Sequence, residues 1–302
     1  MTDLAAAYGR LSSNARGALW MLASAFTFTV MTMLIRYLGD DYSPALQTFY
    51  RQAAGLVVLL PIILRDPTSA FRATRHDVLV FRGLAGTLGM VFAFYAYQKM
   101  PLAEANALSF TRTLWIVPLA AFVLRENVGL WRVGATLAGF VGVLVMLRPS
   151  VSDATGWPAL AALASAALFA MTVTGMKVLT RDHSLTALTV WSATLGLVLA
   201  MPLALMEWRL PSLLDLALLC LMGVLGLLTQ VCYIKGMSLG AAAAMAPIDY
   251  TRLVFALLVG YVLFSEVPDL TTMAGAAIVI AATLFITLRE VRLKIPPAVA
   301  PD

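Results

Sequence analysis

Two copies of a threonine-arginine pair lie in the middle of long apolar runs. The first occurs in SFTRTLWIVP, residues 109–118, and the second in DYTRLVFALL, residues 249–258. An arginine at the centre of a membrane-spanning helix costs about 2.5–3.5 kcal/mol on insertion-based scales. Its guanidinium presents a planar fork of donors that matches a carboxylate or a phosphate. The pattern therefore indicates either a binding site for an anionic group or arginines that fix helix packing, and the sequence leaves both open.

Polar and aromatic side chains accompany these arginines at helical spacing. Asn106 and Ser109 fall on the same side of the helix as Arg112, and Asp249 lies three residues before Arg252, within reach of an ion pair. Aromatic rings nearby would offer stacking or apolar contacts to a solute. The substrate-binding residues that we predict are Arg112, Arg252, Trp115, Ser109, Asn106, Tyr95, Tyr233, Gln230, Tyr50 and Arg51.

Asp249 is the one carboxylate that the sequence places in the middle of a span, which makes it the candidate for proton coupling. A carboxylate beside an arginine tends to stay ionised, so we favour facilitated diffusion or exchange. Arg51 has a second interpretation, a side chain that extends to the membrane surface. His76 and His183 lie in loop-like stretches, and we predict no metal site, no catalytic residue and no cofactor.

The composition is that of a polytopic membrane protein. The chain has 302 residues, of which 61% are hydrophobic and 12% charged, and its mean hydropathy is +0.88. Soluble domains are closer to a quarter charged. The pI of 9.4 does not indicate nucleic acid, because the basic residues lie in short loops between apolar runs, as in membrane proteins.

Ten apolar runs are long enough to span a membrane, for which about 17–25 residues suffice. They cover residues 17–38, 45–64, 78–98, 102–124, 129–147, 156–180, 185–206, 212–236, 241–264 and 270–288. The distribution of lysine and arginine predicts the orientation. With the N-terminus inside, fourteen of these residues lie at inner ends and four at outer ends, namely Arg36, Lys99, Arg148 and Arg209. Both termini are therefore expected in the cytoplasm.

The chain repeats itself. LASA at 22–25 recurs at 163–166, GLVVLLP at 55–61 recurs as GLVLAMP at 196–202, and the Thr-Arg pairs are 140 residues apart. This predicts a tail at 1–16, a five-helix repeat at 17–149, a second repeat at 150–288 and a tail at 289–302. Because five is odd, the second copy must cross the membrane in the opposite sense, as in the inverted repeats of secondary transporters. A channel can share such repeats and stays an alternative.

Other residues are expected to move or to support these helices. Pro118 and Pro247 interrupt the fourth and ninth spans, which marks them as candidate hinges. Gly134 and Gly142 recur at a spacing typical of close helix contacts. The remaining structural candidates are the acids that begin the connections into the fifth and tenth spans, where a helix dipole would stabilise them. These are Glu126 and Glu266.

The residues match a known family. PLAEANALSFTRTLWIVPLAAFVLRENVGLWRVGATLAGFVGVLVMLRP, residues 101–149, and APIDYTRLVFALLVGYVLFSEVPDLTTMAGAAIVI, residues 246–280, each resemble the end of an EamA repeat of the drug/metabolite transporter superfamily. The resemblance covers roughly residues 17–288. It implies an all-α membrane protein of ten helices in two inverted halves. It also implies that spans 3, 4, 8 and 9 surround a central cavity and that transport proceeds by alternating access.

We therefore expect a secondary transporter in a bacterial-type inner membrane. The predicted cargo is a small polar metabolite, an amino acid or related carboxylate that is exported, with the arginines holding its anionic group. Uptake or exchange of S-adenosylmethionine, or of another nucleoside-containing solute, is the alternative. An enzyme is not expected, because no group of His, Asp, Glu or Cys gathers at one depth. The expected partners are the solute and the lipid bilayer, with a homodimer left open.

Overall fold

The protein is described by a computed structural model that covers residues 12–71, 75–122, 130–147, 156–179, 185–239, 245 and 248–292. Every regular element in these ranges is a helix, and they contain no strand. The all-helical fold that the composition predicts is therefore confirmed. The helices are α1 (Ser13–Tyr37), α2 (Pro44–Arg65), the single turn α3 (Pro67–Ala70), α4 (His76–Lys99), α5 (Leu102–Ser109), α6 (Arg112–Phe122), α7 (Leu130–Leu147), α8 (Gly156–Leu179), α9 (Leu185–Met206), α10 (Leu213–Leu239), α11 (Thr251–Phe264) and α12 (Leu270–Arg292).

Seven of these helices are long and apolar enough to cross a membrane. The spans lie in α1, α2, α4, α8, α9, α10 and α12, and two shorter apolar helices are Val133–Val145 within α7 and Thr251–Phe264. The fourth predicted span, residues 102–124, is divided into α5 and α6. The count of ten spans stays a prediction.

Side-chain caps explain where several helices begin. The Ser12 hydroxyl accepts a hydrogen bond from the backbone N–H of Ala15 at 3.2 Å. The Ser43 hydroxyl does the same for Leu46 at 3.3 Å, just before Pro44 at the first helical position. Both arrangements satisfy backbone donors that a helix start leaves free.

Several buried polar residues of the bundle donate hydrogen bonds to backbone carbonyls. Gln47 is fully buried, and its amide donates to the carbonyl oxygens of Ile35 at 3.1 Å and Tyr42 at 3.3 Å. Outward-facing positions instead carry large apolar side chains, such as Val57, Phe81 and Val262. An apolar exterior with a partly polar interior suits a protein whose outer surface meets lipid.

Helices from the first half of the chain pack along helices from the second half. α1 packs along α10, α4 along α8, α2 along α9, and α7 along α12. Gly142 permits the last of these contacts, because a Cβ there would lie 2.9 Å from the carbonyl oxygen of Gly275. The two halves are therefore in contact through at least four pairs of helices.

Four connections lie at one end of the bundle, which we call the first-loop end because it contains residues 38–43. Residues 39–44, the end of α4 and residues 207 and 209 border one cavity at this end. The α11–α12 connection joins them, since Glu266 contacts both Arg36 and Leu102. The first-loop end therefore brings together the α1–α2, α4–α5, α9–α10 and α11–α12 connections.

Candidate functional site

The two Thr-Arg motifs fold into the same tight turn. In the first copy, the backbone N–H of Thr113 donates to the carbonyl of Phe110 at 3.1 Å, and in the second, Leu253 donates to Tyr250 at 3.0 Å. The motif threonines also match, because the Thr111 hydroxyl donates to Leu108 at 2.6 Å. Thr251 donates to Ile248 at 2.7 Å. A turn of this kind within a span often marks a functional hinge.

The two motifs meet inside the bundle. The rings of Phe110 and Tyr250, which occupy equivalent motif positions, lie 4.5 Å apart between centroids. The Tyr250 hydroxyl forms a hydrogen bond with the Thr283 hydroxyl of α12. Phe110 is buried, so this contact belongs to the interior.

Arg252 is held on every side. Its Nη2 donates to Asp249 Oδ2 at 2.8 Å, and its Nε donates to the Asp249 carbonyl at 3.3 Å. The guanidinium lies between two rings, 4.9 Å from the centroid of Phe28 and 4.8 Å from that of Phe110. An ion pair and two cation–π contacts offset the cost of this buried charge.

Arg112 has no hydrogen-bond or ion-pair partner among the described residues. It lies within electrostatic range of the Tyr97 and Tyr233 hydroxyls, as Arg252 does. The two guanidinium groups therefore act on the same region, and of the two only Arg252 has an ion-pair partner within the described ranges. We call this region the motif cluster, which consists of Arg112, Arg252, Asp249, Phe28, Phe110, Tyr97, Tyr233 and Tyr250.

Several predicted binding residues lie in or beside the motif cluster. Arg112, Arg252, Asp249 and Tyr233 are members of it. Ser109 precedes the first motif turn and donates to the Asn106 carbonyl at 2.7 Å. Asn106 is fully buried, and its amide donates to Leu102 at 2.8 Å while its Oδ1 has no partner.

The other predicted binding residues lie elsewhere. Trp115 packs edge-on against Phe140 of α7 at 5.1 Å. Tyr50 contacts Phe49 and Trp208 near the first-loop end. Three more also lie outside the motif cluster. Gln230 is exposed, and Tyr95 borders the cavity at the first-loop end. Arg51 contacts Gln52 and Met90.

Four members of the motif cluster were not predicted, namely Phe28, Phe110, Tyr97 and Tyr250. Phe110 and Tyr250 could have been found, since an aromatic residue precedes the Thr-Arg pair in both copies. Phe28 and Tyr97 come from α1 and α4 and pack against each other at 6.3 Å. Nothing in the sequence links them to the motifs.

The predicted hinge proline of the fourth span does not end its helix. Pro118 lies within α6, which continues to Phe122. The interruption is instead the turn at Phe110–Thr111, because the threonine hydroxyl and the tighter backbone bonds satisfy the groups that the break frees. The second candidate, Pro247, lies outside the described residues.

Glu266 joins the two halves of the chain at the first-loop end. Its Oε1 lies 2.6 Å from Arg36 Nη2, and its Oε2 accepts a hydrogen bond from the N–H of Leu102, the first residue of α5, at 2.9 Å. Arg36 also donates to the Met100 carbonyl at 2.6 Å. The start of α12 is capped by Asp269, whose Oδ1 accepts a hydrogen bond from the backbone N–H of Thr272 at 2.8 Å. Glu266 therefore stabilises the N-terminus of α5. The sequence analysis expects it instead at the N-terminus of the next helix.

The other structural candidates differ in their surroundings. Gly142 lies in the close contact between α7 and α12, whereas a Cβ at Gly134 would meet nothing within 4 Å. Glu126 lies outside the described residues. Within them, no group of three or more His, Cys, Asp or Glu could hold a metal ion.

A cavity of about 460 Å³ opens at the first-loop end. It contains charges of both signs, and Arg209 in its wall pairs with Asp41 at 2.7 Å. The Tyr42 hydroxyl donates to Asp215 at 2.8 Å. Burial, this hydrogen bond and the charge of Asp215 raise the pKa of Tyr42. The lining residues are Gly39, Asp40, Asp41, Tyr42, Ser43, Pro44, Tyr95, Gln98, Lys99, Glu207 and Arg209.

An apolar helical bundle with repeated arginine motifs in its interior has the features of a membrane transporter. The chain belongs to the EamA-like transporter family, whose pattern matches residues 15–148 and again residues 156–288. The expected membership of the drug/metabolite transporter superfamily is thereby confirmed. The protein is a transporter and not an enzyme.

Relatives with assigned cargoes cover nearly the whole chain. An S-adenosylmethionine uptake transporter of Rickettsia prowazekii is 33% identical over 93% of this chain and 95% of its own. A riboflavin transporter of Rhizobium johnstonii is 30% identical over 93% of this chain and 94% of its own. A pseudopaline exporter of Pseudomonas aeruginosa is 27% identical over 89% and 94%. The family thus includes both importers and exporters.

A solved crystal structure shares the fold. It covers 93% of this chain and 99% of its own, with a TM-score of 0.61 and 18% sequence identity. At this identity, the likeness concerns the fold alone.

Proposed function

We propose that the protein takes up S-adenosylmethionine, or a closely similar nucleoside-containing solute, at the motif cluster. The observation that carries this proposal concerns Arg112, which has no partner among the described residues and lies beside an acid, an arginine and five aromatic rings. The 33% identity to the S-adenosylmethionine uptake transporter of Rickettsia prowazekii supports this cargo over others in the family. This gives preference to the alternative cargo of the sequence analysis over export of an amino acid.

The chemistry of the motif cluster fits the parts of this solute. Its carboxylate would pair with Arg112, whose guanidinium has a matching donor fork. Its ammonium would approach the Asp249 carboxylate, which already accepts a hydrogen bond from Arg252 Nη2 at 2.8 Å. The adenine and the sulfonium would contact aromatic rings, through stacking and cation–π attraction, respectively.

Transport by alternating access requires two halves that move about the site. We infer ten spans in two inverted repeats, residues 17–149 and 150–288, with both termini in the cytoplasm of a bacterial inner membrane. The crossed packing of α1 with α10 and of α4 with α8 supports this arrangement. So do the connections, since the first-loop end holds the α1–α2 connection of one half and the α9–α10 connection of the other. The repeated turns at the motifs would supply the bending.

Amino acid export remains the second candidate, because the Arg112 guanidinium can donate hydrogen bonds to any carboxylate. The relative that exports pseudopaline supports that direction. The two candidates differ in what they require, since an amino acid needs Arg112 and Asp249 but not the aromatic rings that an adenine would contact.

Counterflow in proteoliposomes tests the proposal. Vesicles are loaded with unlabelled S-adenosylmethionine, and entry of the labelled compound is followed with S-adenosylhomocysteine, adenosine or methionine as competitor. We expect entry that saturates and strong competition by S-adenosylhomocysteine, which retains the adenosine and the amino acid portion. Exchange of methionine with no exchange of adenosine compounds would favour the second candidate. Non-saturating flux without counterflow would indicate a channel.

A further inference from the structure

A second, half-buried cationic region lies between α2, α4, α9 and α10, apart from the motif cluster. It contains Arg51 of α2 and Arg82 of α4, joined by Gln52 and Ser192, and we call these four residues the arginine ladder. Arg51 Nη1 donates to Gln52 Oε1 at 3.0 Å, and Gln52 Nε2 donates to the Ser192 carbonyl at 3.3 Å. Arg82 Nη1 donates to the Ser192 hydroxyl. The ladder is therefore one continuous chain of hydrogen bonds.

The ladder lies well inside the bundle. Arg51 is seven residues from the start of α2 at the first-loop end, about 10 Å along the helix. Arg82 is six residues, about 9 Å, from the start of α4 at the opposite end. The two charges thus occupy different depths, and neither is at a helix end where it could simply extend into water.

The surrounding helices are shaped to fit the ladder. A Cβ on Gly226 of α10 would lie 2.7 Å from Arg51 Nη2, and one on Gly196 of α9 would lie 1.9 Å from Gln52 Nε2. Glycine at these two positions makes room for the polar side chains. Small residues at helix contacts that surround polar side chains are typical of specific packing in membrane proteins, so this fit is not a chance contact.

The two positive charges have no counter-charge among the residues that the structure describes. Neither arginine forms a salt bridge with any carboxylate in the described ranges. Besides Gln52 and Ser192, the described residues offer these guanidinium groups one further acceptor, the Met90 sulfur, at 3.1 Å from Arg51 Nη1. The Nε of Arg51 and the Nε of Arg82 are both buried, and neither has a hydrogen-bond partner in the described part of the chain. A guanidinium stays protonated in a protein, so it cannot avoid the cost of burial by losing its proton.

We propose that the arginine ladder binds an oxyanion of the phosphate class. The neutral partners have used their acceptors, while the arginines keep free donors in the fork geometry that a phosphate matches. Two sources share this chemistry, a soluble phosphate ion and the headgroup of an anionic lipid. The apolar side chains exposed next to the ladder on α4, Val80 and Phe81, show that a lipid could reach it. The site does not depend on which cargo the motif cluster takes.

Thermal unfolding of the delipidated protein in neutral detergent tests the proposal. One arm adds sodium phosphate against sodium chloride at equal ionic strength, and the other adds phosphatidylglycerol against phosphatidylcholine. A ligand at a concentration near ten times its Kd should raise the wild-type midpoint by about 2 °C in one arm. A rise with phosphate alone identifies a soluble ion, and a rise with phosphatidylglycerol alone identifies a lipid; either result supports the site.

Variants show whether the rise comes from the ladder. Arg51→Gln and Arg82→Gln should lose it, whereas Arg112→Gln in the motif cluster and Arg209→Gln at the exposed first-loop end should keep it. If either ladder variant does not fold, Arg82→Lys replaces it and should retain a weaker rise, since the charge remains without the fork. The proposal is overturned if neither arm stabilises the wild type, or if the ladder variants respond as the wild type does.

Discussion

Replacing Glu266 with glutamine should destabilise the protein far more than its small chemical change suggests. Glu266 Oε1 and Arg36 Nη2 lie 2.6 Å apart, and the side chains of Glu266 and Arg36 are only 10% and 21% exposed, respectively. Removing one partner of a fully buried pair costs about 3–5 kcal/mol. The glutamine oxygen can still accept from Leu102, and Arg36 keeps its bond to Met100. We therefore expect a loss of about 2 kcal/mol, below the range for a fully buried pair.

The exposed pair between Asp41 and Arg209 provides a matched control. Its length is 2.7 Å, nearly the same, but its side chains are 59% and 60% exposed. Asp41→Asn should cost less than about 1 kcal/mol. At about 2.1 cal/mol/K of unfolding entropy per residue, a loss of about 2 kcal/mol in a chain of 302 residues should lower the unfolding midpoint of Glu266→Gln by about 3 °C. All variants should be scanned at one rate, since unfolding of such proteins is often irreversible.

A double-mutant cycle isolates the pair itself. Arg36→Met and Glu266→Gln are measured singly and together in the same scans. We expect the double variant to lose less than the sum of the single losses, because each substitution removes the same contact. The reasoning is refuted if Glu266→Gln is no worse than Asp41→Asn, or if the single effects add.

Four further variants test other residues. Gly142→Ala should lower the unfolding midpoint by pushing α7 from a backbone oxygen of α12 at 2.9 Å, whereas Gly134→Ala, with open space around it, should be neutral or stabilising. Asp249→Asn should leave the pH dependence of counterflow unchanged if transport is facilitated diffusion or exchange, and an altered dependence would indicate proton coupling. Phe28→Leu should weaken cargo binding several-fold while the fold is kept, because Arg252 loses a ring at 4.9 Å; unchanged binding would remove Phe28 from the site.

Sequence patterns could predict the fold class and half of the motif cluster. Apolar runs identified the membrane helices because lipid requires long apolar segments, whatever their packing. The motif arginines and Asp249 were evident because charges within such runs are rare. Phe28 and Tyr97 were not, since an aromatic residue on a membrane helix can equally face lipid or a neighbouring helix. Their positions depend on how α1 and α4 pack.

Two other residues show where spacing alone misleads. Trp115 lies one turn beyond Arg112, yet its ring packs against α7, because a residue three positions on need not share a neighbour. Glu266 was expected to serve the helix that follows it, but it caps α5 from the other half of the chain. Contacts between halves of opposite sense cannot be inferred from local sequence.

Counterflow of labelled S-adenosylmethionine in Arg112 variants tests the central claim most directly. Arg112→Gln removes the charge that has no partner in the described structure, Arg112→Lys restores it without the fork, and Arg209→Gln serves as the surface control. We predict that Arg112→Gln raises the half-saturating concentration at least tenfold, which corresponds to about 1.4 kcal/mol. Arg112→Lys should lie between this variant and the wild type, and the control should match the wild type. Unchanged counterflow in a folded Arg112→Gln protein would contradict the assignment of the motif cluster as the binding site.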